Sequence, residues 1–331
     1  MDNSQERGEW LWLAGDRYRQ SQQPARVIAA LGQFVNLPQA PAGRLGEAWY
    51  ALAEAYRALE QDKAAQTAYL RCLQHDSPFA FHARYQLALA KIRARELDEA
   101  EEFLEQNLKL MQTEPNREAE EQTLYALANL LYERGRNYRM AELRLQQALD
   151  RYPNHPQALQ ARFQLGSCCR LLADLESKQL SLHETGIRDA QARYRALRQQ
   201  WLDKAAGHYQ QLADTLLARQ QRAPLTGAED ALLRQASFAV AECRFQRDIP
   251  EALRLYEILA NRYHHQVDGL IALWHIWNCS NLLGDSAAAR KTVARVRDMM
   301  KDMDEPAFDG KTPSRTRQYW SDWVTKHAAG Q

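Results

Sequence analysis

One pattern of large and small apolar residues recurs along the chain and limits what it can fold into. Its clearest copy is Trp49-x₂-Leu52-Ala53-x₂-Tyr56, then Ala65-x₃-Tyr69, then Pro78. The apolar residues recur at spacings of three and four, which predicts helices. Each copy can be aligned on an apolar residue followed by a small one, except that tryptophan takes the second place in the last copy. The corresponding pairs are Ala14-Gly15, Leu52-Ala53, Leu87-Ala88, Leu127-Ala128, Leu165-Gly166, Val240-Ala241 and Ile276-Trp277.

The copies resemble the W-x₂-L-G-x₂-Y … A-x₃-F … P signature of the tetratricopeptide repeat superfamily. The resemblance implies that each repeat is a pair of antiparallel helices, here named helix A and helix B. Ala53 and Ala65 would let the two helices approach closely, and Pro78 is expected to end helix B. We therefore predict an all-α fold, a right-handed α-solenoid of about seven helical hairpins.

The same alignment predicts the domain boundaries. Residues 1–7 are expected to be a disordered N-terminus, residues 8–304 the solenoid, and residues 305–331 a loop followed by a capping helix from Ser314 to His327. Such a helix would cover the last apolar face of the stack.

Several helix ends can be predicted from single residues. Pro24 and Pro250 are expected to open helix B of the first and sixth repeats. Asp98 is a possible N-cap in the third repeat, and Thr226-x-x-Glu229 is a capping box that starts the sixth.

The fifth repeat contains an insertion. Ala205 follows Gly166 by 39 residues, whereas Ala65 follows Ala53 by 12. In the inserted stretch, Leu171, Leu175 and Leu182 keep one face apolar. The residues after it recur at spacings of three and four, as in a coiled-coil seam: Ile187, Ala190, Tyr194, Leu197 and Trp201. We predict that both helices of this repeat extend into a hairpin over about 171–204, with a turn at His183–Gly186. The hairpin is either a spacer that packs only on itself or a second docking surface.

The composition excludes several classes of function. With 43 basic and 42 acidic residues, the net charge of +1 gives no general attraction to nucleic acid or anionic membranes. The chain lacks an apolar stretch long enough to span a membrane and a secretory signal at its start, so direct membrane insertion is not expected and a cytoplasmic location is the default. A periplasmic or envelope-associated location is the alternative if the sequence is a fragment of a longer protein. The five cysteines form no CxxC pair, and we interpret them as buried thiols.

A set of aromatic residues is the candidate binding surface. In this kind of solenoid the A helices line the concave side, and the residue two before each aligned pair faces the groove. That position is aromatic in every repeat: Trp12, Tyr50, Tyr85, Tyr125, Phe163, Phe238 and Trp274. The rings either form a peptide-binding strip or pack between neighbouring A helices, and both roles can coexist. Polar residues further along the A helices would add hydrogen bonds to a partner, and those chosen are Glu54, Arg57, Asn129, Arg170 and Asn278.

Candidate catalytic or metal-binding groups are few. His275 and Cys279 lie four residues apart on one helix, which suits a shared ligand, but no third or fourth ligand is in view and ordinary packing is favoured. The sequence has no phosphate-binding glycine loop, HExxH or GxSxG motif. We expect no catalytic residues, no metal and no cofactor.

A second resemblance concerns one branch of the superfamily. Tyr152-Pro153-Asn154-His155-Pro156-Gln157-Ala158 and the following Ala161 to Gly166 are similar to a pattern of bacterial envelope-assembly repeat proteins, with His155 in place of the usual serine. Together these features favour a non-enzymatic scaffold that holds a protein or peptide partner in the concave groove, without nucleic acid. The alternative is a regulatory or accessory region of a larger enzyme or of an envelope or secretion assembly.

Overall fold

The chain forms helices throughout the ranges that the computed structural model describes, residues 3–182, 188–308 and 310–328. These ranges contain fifteen α-helices, two short 3₁₀ helices and no strand. The helices are α1 (Asn3–Gln20), α2 (Pro24–Phe34), α3 (Ala42–Ala58), α4 (Asp62–Cys72), α5 (Phe79–Arg93), α6 (Leu97–Leu110), α7 (Arg117–Arg134), α8 (Tyr138–Arg151), α9 (Ala158–Leu182), α10 (Arg188–Gln220), α11 (Gly227–Phe245), α12 (Ile249–Arg262), α13 (Val267–Leu282), α14 (Ser286–Lys301), η1 (Glu305–Ala307), η2 (Pro313–Arg315) and α15 (Arg317–Ala328). The prediction of an all-α fold built from helical hairpins is confirmed.

The helices form two compact units, unit 1 (Met1–Ala158) and unit 2 (Leu159–Gln331). In unit 1, each helix from α1 to α7 contacts the helix that follows it. The core of its first two hairpins includes Phe34, Leu52, Ala53, Tyr69 and Cys72, all buried. Each hairpin therefore buries apolar surface against the next one, as expected for a helical repeat.

Unit 2 is built in the same way and ends in α15. Consecutive helices from α10 to α15 contact one another, and a single apolar cluster connects α11–α15. Trp320 is only 1% exposed, and Trp323 and Val324 are also buried. Trp277 of α13 meets Trp323 and His327 edge-on, with ring centroids 5.5 and 4.7 Å apart. The C-terminal helix thus covers apolar surface of the last hairpin.

The glycines of the first and fifth aligned pairs lie where helix A touches helix B. A Cβ added to Gly166 would lie 2.8–2.9 Å from ring atoms of Tyr209, and one added to Gly15 would lie 2.3 Å from Leu31 Cδ2. Neither contact leaves room for a methyl group. The small residue therefore sets the distance between the two helices.

The structure corrects the predicted start of the fold. α1 begins at Asn3, so residues 3–7 belong to a helix and not to a disordered N-terminus. Glu6 lies in its first turn, where a carboxylate is favoured by the helix dipole. Arg7 donates a 3.3 Å hydrogen bond to Gln33 of α2, which ties this turn to the next helix.

Two predicted helix ends were also wrong. Pro78 does not end helix B, because α4 ends at Cys72 and Pro78 is the N-cap of α5. Proline suits both places, since it lacks an N–H that either would have to satisfy. Asp98 lies in the first turn of α6, and Glu96 is the N-cap. The predictions for Pro24, Pro250 and the Thr226–Glu229 capping box are confirmed.

The insertion of the fifth repeat lies in two long helices, α9 and α10. Arg198 Nε donates to Ser177 Oγ at 2.7 Å and links them beyond the aligned pair. The predicted turn at His183–Gly186 and the seam between residues 180 and 190 lie outside the residues whose side chains the structure describes.

The C-terminal α15 begins at Arg317, not at Ser314, because η2 and Thr316 precede it.

We predict that Gly166→Ala destabilises unit 2 by about 1–3 kcal/mol, because the added methyl overlaps the buried Tyr209 ring. Gly207→Ala on α10 is the matched control, since its Cβ would meet nothing within 4 Å. We expect the control to be neutral or to stabilise by up to about 1 kcal/mol. Urea unfolding of both variants measures the difference, and equal stabilities would contradict this account of the helix contact.

Candidate functional site

The seven aromatic residues chosen from the sequence all lie on A helices, but none is highly exposed. Trp12, Tyr50, Tyr85, Phe163, Phe238 and Trp274 are partly buried. Four of the rings contact an aromatic residue in, or directly after, the helix B that follows. The pairs and the distances between their ring centroids are Trp12–Phe34 (5.5 Å), Tyr50–Tyr69 (6.0 Å), Phe163–Tyr209 (5.3 Å) and Phe238–Tyr263 (6.4 Å). The rings therefore fill the edge between helices A and B and leave part of each face accessible.

Tyr125 differs from the other six. It is 2% exposed, its hydroxyl donates to the Tyr152 carbonyl at 2.8 Å, and its ring stacks on His155 at 3.9 Å. A ring buried in this way has no surface for a partner. Its inclusion in the binding surface was wrong, and its role is to pack the turn after α8.

In unit 1, a polar network lies beside the exposed part of Tyr50. Glu54, four residues further along α3, accepts a hydrogen bond from Arg57 at 2.5 Å and another from the Tyr69 hydroxyl of α4. Burial and the bond to Glu54 raise the pKa of Tyr69, and burial raises that of Tyr50, so both phenols stay protonated. The network holds Glu54 as a fixed carboxylate at the surface.

A cleft of about 400 Å³ opens next to this network. One wall is the turn between α1 and α2, and the other is α3. Most of the lining is apolar, and the remainder is polar or charged. The lining residues are Arg19, Gln22, Gln23, Pro24, Val27, Tyr50, Ala51, Glu54, Ala55 and Ala58. Its size lies within the range of ligand-binding pockets.

In unit 2, a second cleft of about 570 Å³ joins three A helices. Phe163, Phe238 and Arg170, all chosen from the sequence, are among its lining residues. Arg170 donates to Glu242 at 2.8 Å. Burial raises the pKa of Glu242, while the Arg170 guanidinium opposes the shift, so the pair balances desolvation against attraction.

The most buried charge of the second cleft was not predicted from the sequence. Asp268, in the first turn of α13, is 7% exposed and accepts from Arg234 of α11 at 3.1 Å. Arg315 of η2 donates to both of its oxygens, at 3.0 and 3.3 Å. These residues are 34 and 47 positions away in the sequence, and no short motif connects them.

The remaining predicted residues lie on A helices but line neither cleft. Asn129 donates to Glu133 at 3.1 Å on its own helix, and Asn278 is a partly buried residue of α13. Trp274 meets His275 edge-on at 4.8 Å. Tyr85 is half-buried, and burial raises its pKa.

His275 and Cys279 are packed, uncharged side chains. The His275 ring lies parallel to Tyr256 at 4.4 Å, and burial lowers its pKa to about 4. Burial raises the pKa of Cys279 to about 11. Among the described residues, no three His, Cys, Asp or Glu side chains are grouped to hold a metal ion. The described helices also include none with the length and apolar character that crossing a membrane requires.

Three tyrosines at the same position of helix B have different partners. Tyr69 donates to Glu54, Tyr209 shares a 2.9 Å hydrogen bond with Ser167, and the buried Tyr256 hydroxyl has no hydrogen-bond partner among the described residues. Glu242 stands at the position of Glu54 and Ser167, directly after the small residue, but it accepts from Arg170. In this hairpin of unit 2 the carboxylate is therefore bonded to an arginine and not to the tyrosine of helix B.

We predict opposite effects on stability for the two matched variants Tyr209→Phe and Tyr256→Phe in unit 2. Tyr209→Phe should lower the free energy of unfolding by about 1 kcal/mol, because a buried hydrogen bond is lost. Tyr256→Phe should leave it unchanged or raise it, because the variant removes a buried hydroxyl with no hydrogen-bond partner in the part of the chain that the structure describes. Chemical denaturation measures both, and a loss at Tyr256 as large as that at Tyr209 would contradict the assignment.

Comparison with solved structures finds distant likenesses to helical repeat proteins. YrrB, described as a TPR protein with an unusual peptide-binding site, is 15% identical with a TM-score of 0.43 over 78% of this chain and 95% of its own. A tetratricopeptide repeat protein from Parabacteroides merdae is 11% identical with a TM-score of 0.44, over 98% and 99% of the two chains. The apo form of RapI is 13% identical with a TM-score of 0.42, over 88% and 99%. At these scores the likenesses carry no conclusion about function.

Neither the protein-family models nor the curated proteins include a match to this chain. The helical hairpins and the two clefts are therefore the basis for the function proposed below.

Proposed function

We propose that this protein is a protein-interaction scaffold that binds peptide segments of a partner beside the A helices of each unit. The observation that carries the proposal is shared by the two clefts. Each combines partly exposed aromatic rings with a carboxylate held by an arginine, Tyr50 with Glu54 and Arg57 in unit 1, and Phe238 with Glu242 and Arg170 in unit 2.

This combination suits a peptide for physical reasons. Half-buried rings supply apolar contact area while losing little side-chain entropy, because their rotamers are already fixed by helix B. The adjacent carboxylates accept hydrogen bonds in a set geometry, which supports specificity more than affinity. The volumes of about 400 and 570 Å³ accommodate a few partner side chains in each cleft.

The two clefts favour different parts of a partner. The lining of the cleft in unit 1 is mainly apolar and includes Pro24, Val27 and Tyr50, which suits aliphatic or aromatic side chains. The cleft in unit 2 adds four basic and two acidic residues to its apolar floor, which suits a polar or charged segment. The proposal assigns no reaction to either cleft.

A peptide selection followed by cleft-filling variants tests this proposal. Peptides selected on the intact protein from a random library should bind more weakly, by tenfold or more, to at least one of two variants. Ala58→Arg fills the cleft of unit 1 and Gln235→Trp fills that of unit 2, and both original residues are exposed lining residues.

Ala287→Arg is the matched control, because Ala287 is exposed on the helix B α14 and lines neither cleft. Fluorescence anisotropy gives the dissociation constants, and circular dichroism checks the folding of each variant. If the selected peptides bind both cleft variants as tightly as the control, the clefts are not the binding sites.

A further inference from the structure

A segment near the C-terminus forms part of the wall of the cleft in unit 2. We name residues Gly310–Thr316 the C-terminal strap. Lys311, Thr312 and Arg315 of the strap line the cleft together with residues of α9, α11 and α13. A short segment of the chain itself therefore borders the cleft in which the proposed function places a partner.

The Arg315 side chain connects the strap to the cleft wall. The Arg315 guanidinium makes two parallel hydrogen bonds to the Asp268 carboxylate, at 3.0 and 3.3 Å. This fork-to-fork geometry is specific to arginine, because the ammonium of lysine is a point charge. Asp268 is buried, so its carboxylate needs such donors to offset the loss of water.

Most of the strap lies at the surface. Gly310, Lys311, Thr312 and Pro313 are exposed, and Gly310 has a left-handed backbone with φ of +63°. The last part of the strap is fixed from outside the cleft, where the indole N–H of Trp320 donates to the Ser314 carbonyl at 2.8 Å. A segment with so little buried backbone opens at a lower free-energy cost than the core.

We propose that the strap occupies, within the chain, the place of a partner peptide, and that this partner presents an arginine to Asp268. The inference rests on the function proposed for the cleft in unit 2 and adds the chemistry of the partner. An incoming arginine would replace Arg315 like for like, so the charge and the hydrogen bonds at Asp268 would stay the same. Arg234 keeps one bond to Asp268 throughout, which preserves the carboxylate in its position while the strap leaves.

The competing occupant is an acidic segment. The cleft lining includes Arg170, Arg234, Lys311 and Arg315 against two carboxylates, which would attract negative charge. Such a partner would bind with the strap in place and would not need Asp268. The two partners therefore respond in opposite ways to the loss of Arg315.

The test uses three labelled peptides that copy the strap. The first has its sequence, GKTPSRT, the second has citrulline in place of the arginine, and the third, GETPSET, has glutamate at both basic positions. Citrulline keeps the shape of the arginine side chain and removes its charge. Fluorescence anisotropy measures their binding to the full-length protein and to the variants Arg315→Gln, Arg315→Ala and Arg315→Gln/Asp268→Asn.

We expect the arginine peptide to bind Arg315→Gln and Arg315→Ala at least tenfold more tightly than the wild type, in which the strap competes. It should bind Arg315→Gln at least tenfold more tightly than the citrulline peptide does, and adding Asp268→Asn should abolish the difference between the two peptides. Hydrogen exchange in residues 310–316 of the wild type should rise when the arginine peptide is added in excess. Circular dichroism identifies any variant that does not fold, and the comparison then uses the other Arg315 variant and the exchange measurement.

Failure to bind Arg315→Gln or Arg315→Ala at millimolar peptide would overturn the proposal, as would equal binding of the arginine and citrulline peptides. If the glutamate peptide binds the wild type more tightly than it binds the Arg315 variants, the proposal is also overturned, in favour of the acidic partner. These failures differ from a failure of the proposed function. Library peptides that are weakened by Gln235→Trp would still establish the cleft as a binding site even if the arginine peptide does not bind.

Discussion

The close contact between helix A and helix B is the constraint on which the rest of this structure depends. At Gly166 and Gly15 the facing side chain of helix B leaves no room for a methyl group, and at Ala53 the small side chain is fully buried. Close packing of this kind fixes the distance between the two helices of a hairpin. It also fixes which neighbouring residues of helix A lie beside the contact and which point away from it.

The half-buried aromatic rings follow from that contact. Tyr50 precedes Ala53 by three residues, which places its side chain on the same face of the helix, one turn from the contact. The ring consequently packs against helix B on one side and reaches the surface on the other. Glu54 and Glu242 both come directly after the small residue of helix A. Arg57, one turn further along α3, binds Glu54, and Arg170 of α9 binds Glu242 of α11. Packing and the candidate binding surfaces are in this sense parts of one arrangement.

The sequence predicted the features that depend on local spacing. The helical hairpins, the long helices of the fifth repeat and the position of the aromatic residues on A helices all follow from a period that is visible in the chain. Pro78 and Asp98 were misplaced because proline and aspartate are compatible with several positions near a helix end. The start at Asn3 was missed because a polar helix end has no apolar pattern, and Tyr125 because the stacking partner His155 follows on a turn.

The cleft in unit 2 shows what spacing could not predict. Asp268 and Arg315 are 47 residues apart, and their pairing depends on how the segment after α14 folds back. Neither residue belongs to the repeated pattern. The repeat positions on the A helices therefore predicted the aromatic residues of the cleft but not its buried carboxylate. The same segment was predicted as the end of a loop and the start of the capping helix, although it contributes to the wall of the candidate site.

The central claim is that the side of the A helices, and not helix B, is the surface for partners. A crystal structure of the full-length protein with a peptide selected from the library would test it most directly. We expect peptide density against Tyr50 and Glu54 of unit 1, or against Phe238 and Glu242 of unit 2. Density confined to exposed faces of the B helices, with both clefts empty, would contradict it.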